Sequence, residues 1–178
     1  SIAPAPDTVL DENSVHHRLG DLNGIHVTKS LKLNGNGLTT TDIFAVTGIV
    51  RVLLIEAYCI AVADATTLTG FKFQLWDGTA AVDITTGVSA SGILVDAVIF
   101  KEGLVGVAAV LLNPTVGIVR DAPANKLSYE PFWVVKKTGA ATTIRVSYTG
   151  DVSTDVDMTF EIHYVPVAED AVSNIGAA

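Results

Sequence analysis

Histidines near the start of the chain are the first residues whose types could do chemistry. His16, His17 and His26 supply the imidazole groups of a possible metal site. Ser14, His17 and Asp21 contain the residue types of a hydrolytic triad. The adjacent histidines lie in a stretch without regular periodicity, no cysteine is near, and the serine lacks a nucleophile-elbow motif. We therefore expect solvated side chains here, with neither a metal centre nor a triad.

Three aspartates and one glycine-rich stretch offer further candidates. Asp151, Asp155 and Asp157 would bring carboxylates to Ca²⁺, but their spacing matches no known calcium loop and Asp157 lies inside a strand pattern. Residues 34–37 read Asn-Gly-Asn-Gly and precede Leu-Thr-Thr-Thr, where a phosphate cradle needs the start of a helix. The stretch predicts a tight turn. We expect no cofactor and no bound metal.

The remaining reactive side chains favour ordinary structural roles. His163 alternates with Glu161 on a predicted outer face, which indicates a solvated pair. The single cysteine, Cys59, excludes an internal disulfide and is interpreted as a small buried hydrophobic residue. Four aromatic residues would suit either a sugar-stacking platform or, as we favour, the core or an interface: Tyr58, Trp76, Tyr129 and Trp133. We expect a protein that is not an enzyme.

Composition indicates how the chain folds. Of its 178 residues, 49% are hydrophobic and only 17% are charged, and the mean hydropathy is +0.45. Abundant Val, Ile, Thr and Gly favour closely packed strands. A net charge of −8 argues against direct contact with nucleic acid. Residues 1–14 have neither a basic region nor an apolar run, so they predict no signal peptide.

The apolar stretch from Thr41 to Asp64 is long enough to suggest a membrane span. A transmembrane helix would place Arg51 and Glu56 in hydrocarbon, and a central Arg costs about 2.5–3.5 kcal/mol on insertion scales. Because the stretch is rich in β-branched residues and apolar on both alternating faces, it predicts a strand covered on both sides. We expect either one long bent strand or two strands that change sheet near Glu56, and no membrane.

Alternating patterns near the C-terminus are the clearest in the chain. Residues 141–150 and 154–166 predict two strands that pair as a hairpin across Gly-Asp-Val-Ser-Thr. One set of side chains is expected to face inward: Ile144, Val146, Tyr148, Val156, Met158, Phe160, Ile162 and Tyr164. The alternate set is expected to face outward: Thr143, Arg145, Ser147, Asp157, Thr159, Glu161 and His163.

The whole pattern predicts an all-β fold. Eight to ten strands with turns every 8–12 residues are typical of an antiparallel β-sandwich or jelly roll. We expect an extended N-terminal arm at 1–24, a β-sandwich domain at 25–167 and a C-terminal tail at 168–178. The arm is expected to contact a partner through residues too irregularly spaced for a helix or strand face: Ile2, Pro4, Pro6, Val9, Leu10, Val15 and Leu19.

Two stretches of the chain resemble virion proteins of tailed bacteriophages. One is DIFAVTGIVRVLLIEAYCIAVADATTL, and the other is TTIRVSYTG followed by VDMTFEIHYVPVAEDAVS, which is similar to the final strands of such proteins. Ala57 departs from this pattern by replacing a common glycine, and Val167 does so by following Pro166 where leucine is usual. The resemblance implies a structural subunit of the particle, for instance a capsid decoration or cement protein.

The same resemblance sets expectations for partners and location. It implies contact with the major capsid protein or other virion proteins, and a homo-oligomer for which a trimer is one candidate. The protein would lie on the capsid surface, and in the host cytoplasm during assembly. A tail or fibre component and a carbohydrate-binding β-sandwich module remain alternatives, although no fibre-like repeats are present in the sequence.

Overall fold

The computed structural model of the protein describes residues 24–115, 131–167 and 173–178. These residues form eleven β-strands and no helix. The strands are β1 (Ile25–Leu33), β2 (Gly37–Thr47), β3 (Ile49–Asp64), β4 (Thr69–Trp76), β5 (Ala81–Asp83), β6 (Val98–Phe100), β7 (Val110–Leu112), β8 (Phe132–Val135), β9 (Thr142–Gly150), β10 (Asp155–Pro166) and β11 (Asn174–Ala177). The stretch from Thr41 to Asp64 thus forms strands, and the described residues include no helix long and apolar enough to span a membrane.

The strands form two antiparallel sheets that share one core. Sheet A has the order β1-β10-β3-β6-β7, with β8 also paired to β3, and sheet B has the order β11-β2-β9-β4-β5. Phe160 of sheet A stacks on Phe71 of sheet B with 6.3 Å between ring centroids, and it meets Phe73 edge-on at 6.4 Å. All three rings are fully buried. The fold is therefore all-β and β-sandwich-like, as predicted from the alternating patterns.

The chain changes sheet at seven of the ten steps from one strand to the next. The turn predicted at 34–37 is present, and it leads from β1 in sheet A directly into β2 in sheet B. Gly48, with a φ of 62°, connects β2 of sheet B back to β3 of sheet A. A side chain at this position would collide with Ser173. Such turns move the chain across the core, so consecutive strands seldom pair.

The predicted hairpin of β9 and β10 is wrong for this reason. β9 pairs with β2 and β4 in sheet B, whereas β10 pairs with β1 and β3 in sheet A. Between them, one carboxylate oxygen of Asp151 accepts hydrogen bonds from the backbone N–H groups of Ser153 and Thr154, at 2.9 and 3.1 Å. The turn residues are those of a tight turn, but they connect two sheets.

The 16-residue strand β3 is one strand, as in the first of the two predicted alternatives. Its pairing with β10 shifts register three times. At one shift, Leu53 is an extra residue in β3. The buried side chains are those of Val50 and Val52 before it and those of Ile55 and Ala57 after it. A bulge of this kind exchanges the two faces of a strand. The phase change explains why both alternating faces of β3 are apolar in the sequence.

The predicted inward faces of β9 and β10 are confirmed. All eight side chains predicted to face inward are buried. Among those predicted to face outward, Ser147 and Thr159 are also buried, because they lie in interior strands of their sheets. The inside/outside register of both strands is therefore correct, although their pairing is not.

The apolar run at 91–100 is only partly a strand. Residues 98–100 form β6, but the preceding residues are turns in which Leu94 and Val95 are exposed. Gly92 and Asp96 have positive φ values of 70° and 67°. Left-handed backbone conformations interrupt strand pairing, and this explains why only the last three residues of the run form a strand.

The structure describes only part of the segments predicted to flank the domain. The predicted tail at 168–178 contributes β11, whose residues 174–177 pair with the end of β2. Ile175 is buried in the core, so this part of the predicted tail belongs to sheet B. Residues 168–172, like residues 1–23 of the predicted arm, lie outside the described residues.

Candidate functional site

The outer face of sheet A brings together histidines and carboxylates from distant parts of the chain. Antiparallel pairing places His26 of β1 directly opposite His163 of β10. Glu161 lies two residues before His163 on the same face, and opposite Glu161 on β3 lies Glu56. Phe160 and its inward neighbours are held in the core, and this fixes the alternate residues of β10 on the outer face.

The side chains of His26, Glu161 and His163 converge on one another, and we call them the His–Glu cluster. Nε2 of His163 lies 2.6 Å from Oε1 of Glu161, and Nε2 of His26 lies 2.9 Å from the same oxygen. The two imidazole rings stack with centroids 4.7 Å apart. The side chain of Glu161 is 18% exposed and that of His163 is 23% exposed, whereas that of His26 is 49% exposed. The carboxylate is therefore shielded, and the cluster opens to solvent on the β1 side.

The two carboxylates of this face respond differently to their surroundings. Burial opposes the charge on Glu161, but hydrogen bonding to His163 and the proximity of His26 outweigh it and lower the pKa of Glu161. Burial raises the pKa of Glu56, and the neighbouring charge of Glu161 raises it further. The outer face of sheet A thus holds two opposed carboxylates, and both imidazoles contact that of Glu161.

The cluster offers two imidazole nitrogens and one carboxylate oxygen whose positions all lie within 4.8 Å of one another. Among residues 24–115, 131–167 and 173–178, no other set of three or more His, Cys, Asp or Glu side chains converges in this way. Imidazole and carboxylate together are ligands typical of divalent transition metals. The arrangement is chemically suited to hold a cation.

The sequence pattern groups each member of this cluster with different neighbours. His26 was considered with His16 and His17, which lie outside the described residues. The predicted pair of Glu161 and His163 is present, but it is largely shielded instead of solvated. The contact with His26 was missed because it depends on the pairing of β1 with β10, and no local pattern encodes that pairing.

The three aspartates considered for calcium do not form one site. Asp155 and Asp157 face Lys32 of β1, whose Nζ lies 2.7 and 3.8 Å from their carboxylate oxygens. Asp151 holds the turn before β10, and hydrogen bonds led by that from the Ser153 hydroxyl lower its pKa to about 2. The carboxylates are therefore engaged separately, by a lysine and by a turn.

The aromatic residues considered for a sugar platform are also separated. Trp76 lies on the outer face of sheet B, where the guanidinium carbon of Arg145 sits 4.3 Å from its ring centroid. Trp133 lies on the outer face of sheet A and is 61% exposed, and Tyr129 is outside the described residues. The two tryptophans thus belong to different surfaces.

Cys59 is buried as predicted, and burial raises the pKa of its thiol to about 11.

A second feature of sheet A is an apolar area where β3, β8 and the end of β10 meet. Ile49 lies opposite Val135, and Arg51 lies opposite Trp133. The backbone N–H of Val167 donates to the carbonyl of Ile49 at 3.0 Å. Four apolar side chains there are exposed beside the exposed Arg51, and they form what we call the apolar patch: Ile49, Trp133, Val135 and Val167. It is an exposed, mainly apolar surface on the same sheet as the His–Glu cluster.

The residues predicted to contact a partner all lie outside the described residues, so their prediction is not tested by the structure: Ile2, Pro4, Pro6, Val9, Leu10, Val15 and Leu19. Comparison of the chain with protein-family models, with curated proteins and with solved structures gives no match. The His–Glu cluster and the apolar patch therefore have to be interpreted from their own chemistry.

Proposed function

We propose that the chain is a non-enzymatic structural subunit of a tailed-phage virion that decorates or cements the outer surface of the head. The observation that carries the proposal is the apolar patch. Contiguous large apolar side chains on a protein surface mark sites that a partner covers. Trp133 is the most exposed of the four, and aromatic residues of this kind are enriched among the anchors of protein interfaces.

The partner in this proposal is the major capsid protein or another virion protein. Support comes from the two stretches that resemble phage virion proteins and from the all-β, β-sandwich-like fold. We further propose that the strands are arranged as in a jelly roll. The protein would form homo-oligomers on the capsid surface, with residues 1–24 as a docking arm. A net charge of −8 suits an outer surface away from packaged nucleic acid.

The test begins with purified particles of the phage that encodes the chain. Mass spectrometry and cryo-EM should find the protein on the head at a regular copy number. Particles made without it should then bind added wild-type protein. Val135→Asp should weaken this binding at least about 30-fold, because it leaves a carboxylate in an apolar contact.

The matched control is Val152→Asp, which makes the same change at a turn valine that is 87% exposed and outside the patch. This variant should bind particles as the wild type does. Deleting residues 1–20 should also weaken attachment while leaving the melting temperature of the isolated protein unchanged. Absence of the protein from particles, or equal binding by the Val135 and Val152 variants, would contradict the proposal.

The exposed ring of Trp133 also suits a carbohydrate-binding surface, since sugar rings stack on exposed aromatic faces. Binding to immobilised polysaccharides measures this alternative directly. If the wild-type chain binds a glycan and Trp133→Ala abolishes that binding, the carbohydrate module replaces the virion subunit as the better proposal. A virion subunit should show no such Trp133-dependent glycan binding.

A further inference from the structure

We propose that His26, Glu161 and His163 bind a divalent transition metal ion, with Zn²⁺ as the natural candidate. The site is independent of the apolar patch and of the virion function. It rests on three observations: the convergence of the ligand atoms, the charge of the surrounding face, and the rigidity of the strands that present the side chains.

The convergence is close to what a zinc ion requires. Zn²⁺ binds imidazole nitrogen and carboxylate oxygen at about 2.0–2.2 Å, so neighbouring ligand atoms of a tetrahedral site lie about 3.3 Å apart. Here the two Nε2 atoms lie 2.9 and 2.6 Å from the shared oxygen of Glu161. Small side-chain rotations that open these contacts by about 0.4 Å for His26 and about 0.7 Å for His163 would admit the ion. The fourth position would face solvent on the exposed side of His26 and take a water molecule.

The charge of the face favours a cation. Glu56 lies opposite Glu161 on β3, and like charges placed directly opposite each other across strands destabilise a sheet. With neutral imidazoles, the two carboxylates leave this area negative. A divalent ion bound by Glu161 would neutralise that charge, and Glu56 would act as an outer partner that tunes the site without touching the metal.

The ligands stand on paired strands instead of loops. β1 pairs with β10 from Ile25 to Leu33 without a register shift, so His26 and His163 are held opposite each other. Glu161 lies inside the same regular stretch of β10, between the buried side chains of Phe160 and Ile162. Sites built on regular elements hold their ligands more precisely than sites on loops. The two imidazoles therefore need little reorganisation to bind.

The experiment is a calorimetric titration of the full chain, freed of metal with EDTA and carrying no polyhistidine tag, with ZnCl₂. One equivalent should bind, and MgCl₂ should give no signal, because Mg²⁺ prefers oxygen ligands. Loading with Co²⁺ should give the visible absorption of a four-coordinate site. Saturating Zn²⁺ should also raise the melting temperature, since the ion binds only the folded state.

The chain supplies its own matched control, because it contains four histidines. His26→Ala/His163→Ala should lower the Zn²⁺ affinity by more than about 100-fold. Loss of a residue that only supports a ligand costs up to about 100-fold in affinity, and this variant removes two ligands. His16→Ala/His17→Ala should leave it unchanged. Glu161→Gln keeps the shape of the side chain and should also abolish tight binding, so a folding defect in the histidine variant would not decide the result. Binding of less than a stoichiometric amount, or binding lost only with His16 and His17, would overturn the proposal.

Discussion

The outer faces of the two sheets cover the same core in different ways. On sheet B, Asp83 accepts hydrogen bonds from Lys72 at 2.9 Å and from Gln74 at 2.6 Å. Arg145 lies over Trp76. Each of these polar side chains has a complementary neighbour on the next strand. Asp83, Lys72 and Gln74 are thus paired across strands, whereas Nε of Arg145 is buried without a hydrogen-bond partner among the described residues.

On sheet A, the outer face combines opposed carboxylates with exposed apolar side chains. Glu56 and Glu161 oppose each other with two histidines alongside, and a few residues away Trp133 and Val135 are exposed. Both sheets contribute to the same core, so stabilisation of the core does not explain why their outer faces differ. Under the proposed function, sheet A carries the surface that a partner covers, and sheet B faces solvent.

The largest effect is expected in the core that both sheets share. Phe160→Ala should lower the free energy of unfolding by about 3–5 kcal/mol, because it removes a ring that packs on Phe71 and Phe73 of the other sheet. Urea unfolding measures this change. Asp157→Asn on the outer face of the same strand is the control, and it should change stability by less than about 0.5 kcal/mol. Equal effects would mean that the two faces of β10 are exchanged.

An intermediate effect should separate the two tryptophans. Trp76→Ala should destabilise the protein by at least about 0.5–1 kcal/mol, the contribution of a cation–π contact, because Arg145 covers its ring. Trp133→Ala should change stability by less than about 0.5 kcal/mol, since that side chain is 61% exposed. Urea unfolding of both variants tests the contrast. A larger loss for Trp133 would show that sheet A is stabilised by its own patch and does not reserve it for a partner.

The smallest effects concern two carboxylates whose pKa values move in opposite directions. Burial and the charge of Glu161 raise the pKa of Glu56, so its ionisation lowers stability as pH rises through this raised pKa. Burial opposes the charge on Asp83, but hydrogen bonds from Gln74 and Lys72 outweigh it and lower the pKa. Stability from Asp83 is therefore present above its usual pKa and is lost as pH falls through the lowered one.

Two neutral variants test this difference in sign. In metal-free buffer near neutral pH, Glu56→Gln should stabilise the protein, whereas Asp83→Asn should destabilise it by less than about 1 kcal/mol. Both differences from the wild type should shrink in acid below about pH 4, where the carboxyl groups become protonated. Unfolding curves measured across this pH range show the result. Changes of the same sign in the two variants would remove the electrostatic contrast between the sheets.

The sequence predicted which side chains form the core better than it predicted how strands pair. Alternation identifies Phe160 as inward and Glu161 as outward, because burial of apolar area depends on the local period of two. Pairing depends on where each turn sends the chain. Gly48 and the Asp151 turn carry it to the opposite sheet, but their residue types are equally compatible with a hairpin. The predicted hairpin of β9 and β10 failed at this step.

The candidate site could be predicted only in part for a related reason. Glu161 and His163 are neighbours in sequence, so their pair was visible from alternation. His26 joins them only through the pairing of the first described strand with the tenth. The apolar patch likewise combines Ile49 with Trp133 and Val167, which three different strand ends bring together. Local periodicity carries no information about such long-range neighbours.

The repeated crossing between sheets has a consequence for how the chain is made. β1 (Ile25–Leu33) is synthesised well before its described partner, β10 (Asp155–Pro166). At about 5–20 residues per second, β1 waits for several seconds or longer with its hydrogen-bonding edge unpaired. Folding dominated by such distant contacts is slow. Until β10 has been made, β1 of each nascent chain is able to pair with a strand of another copy.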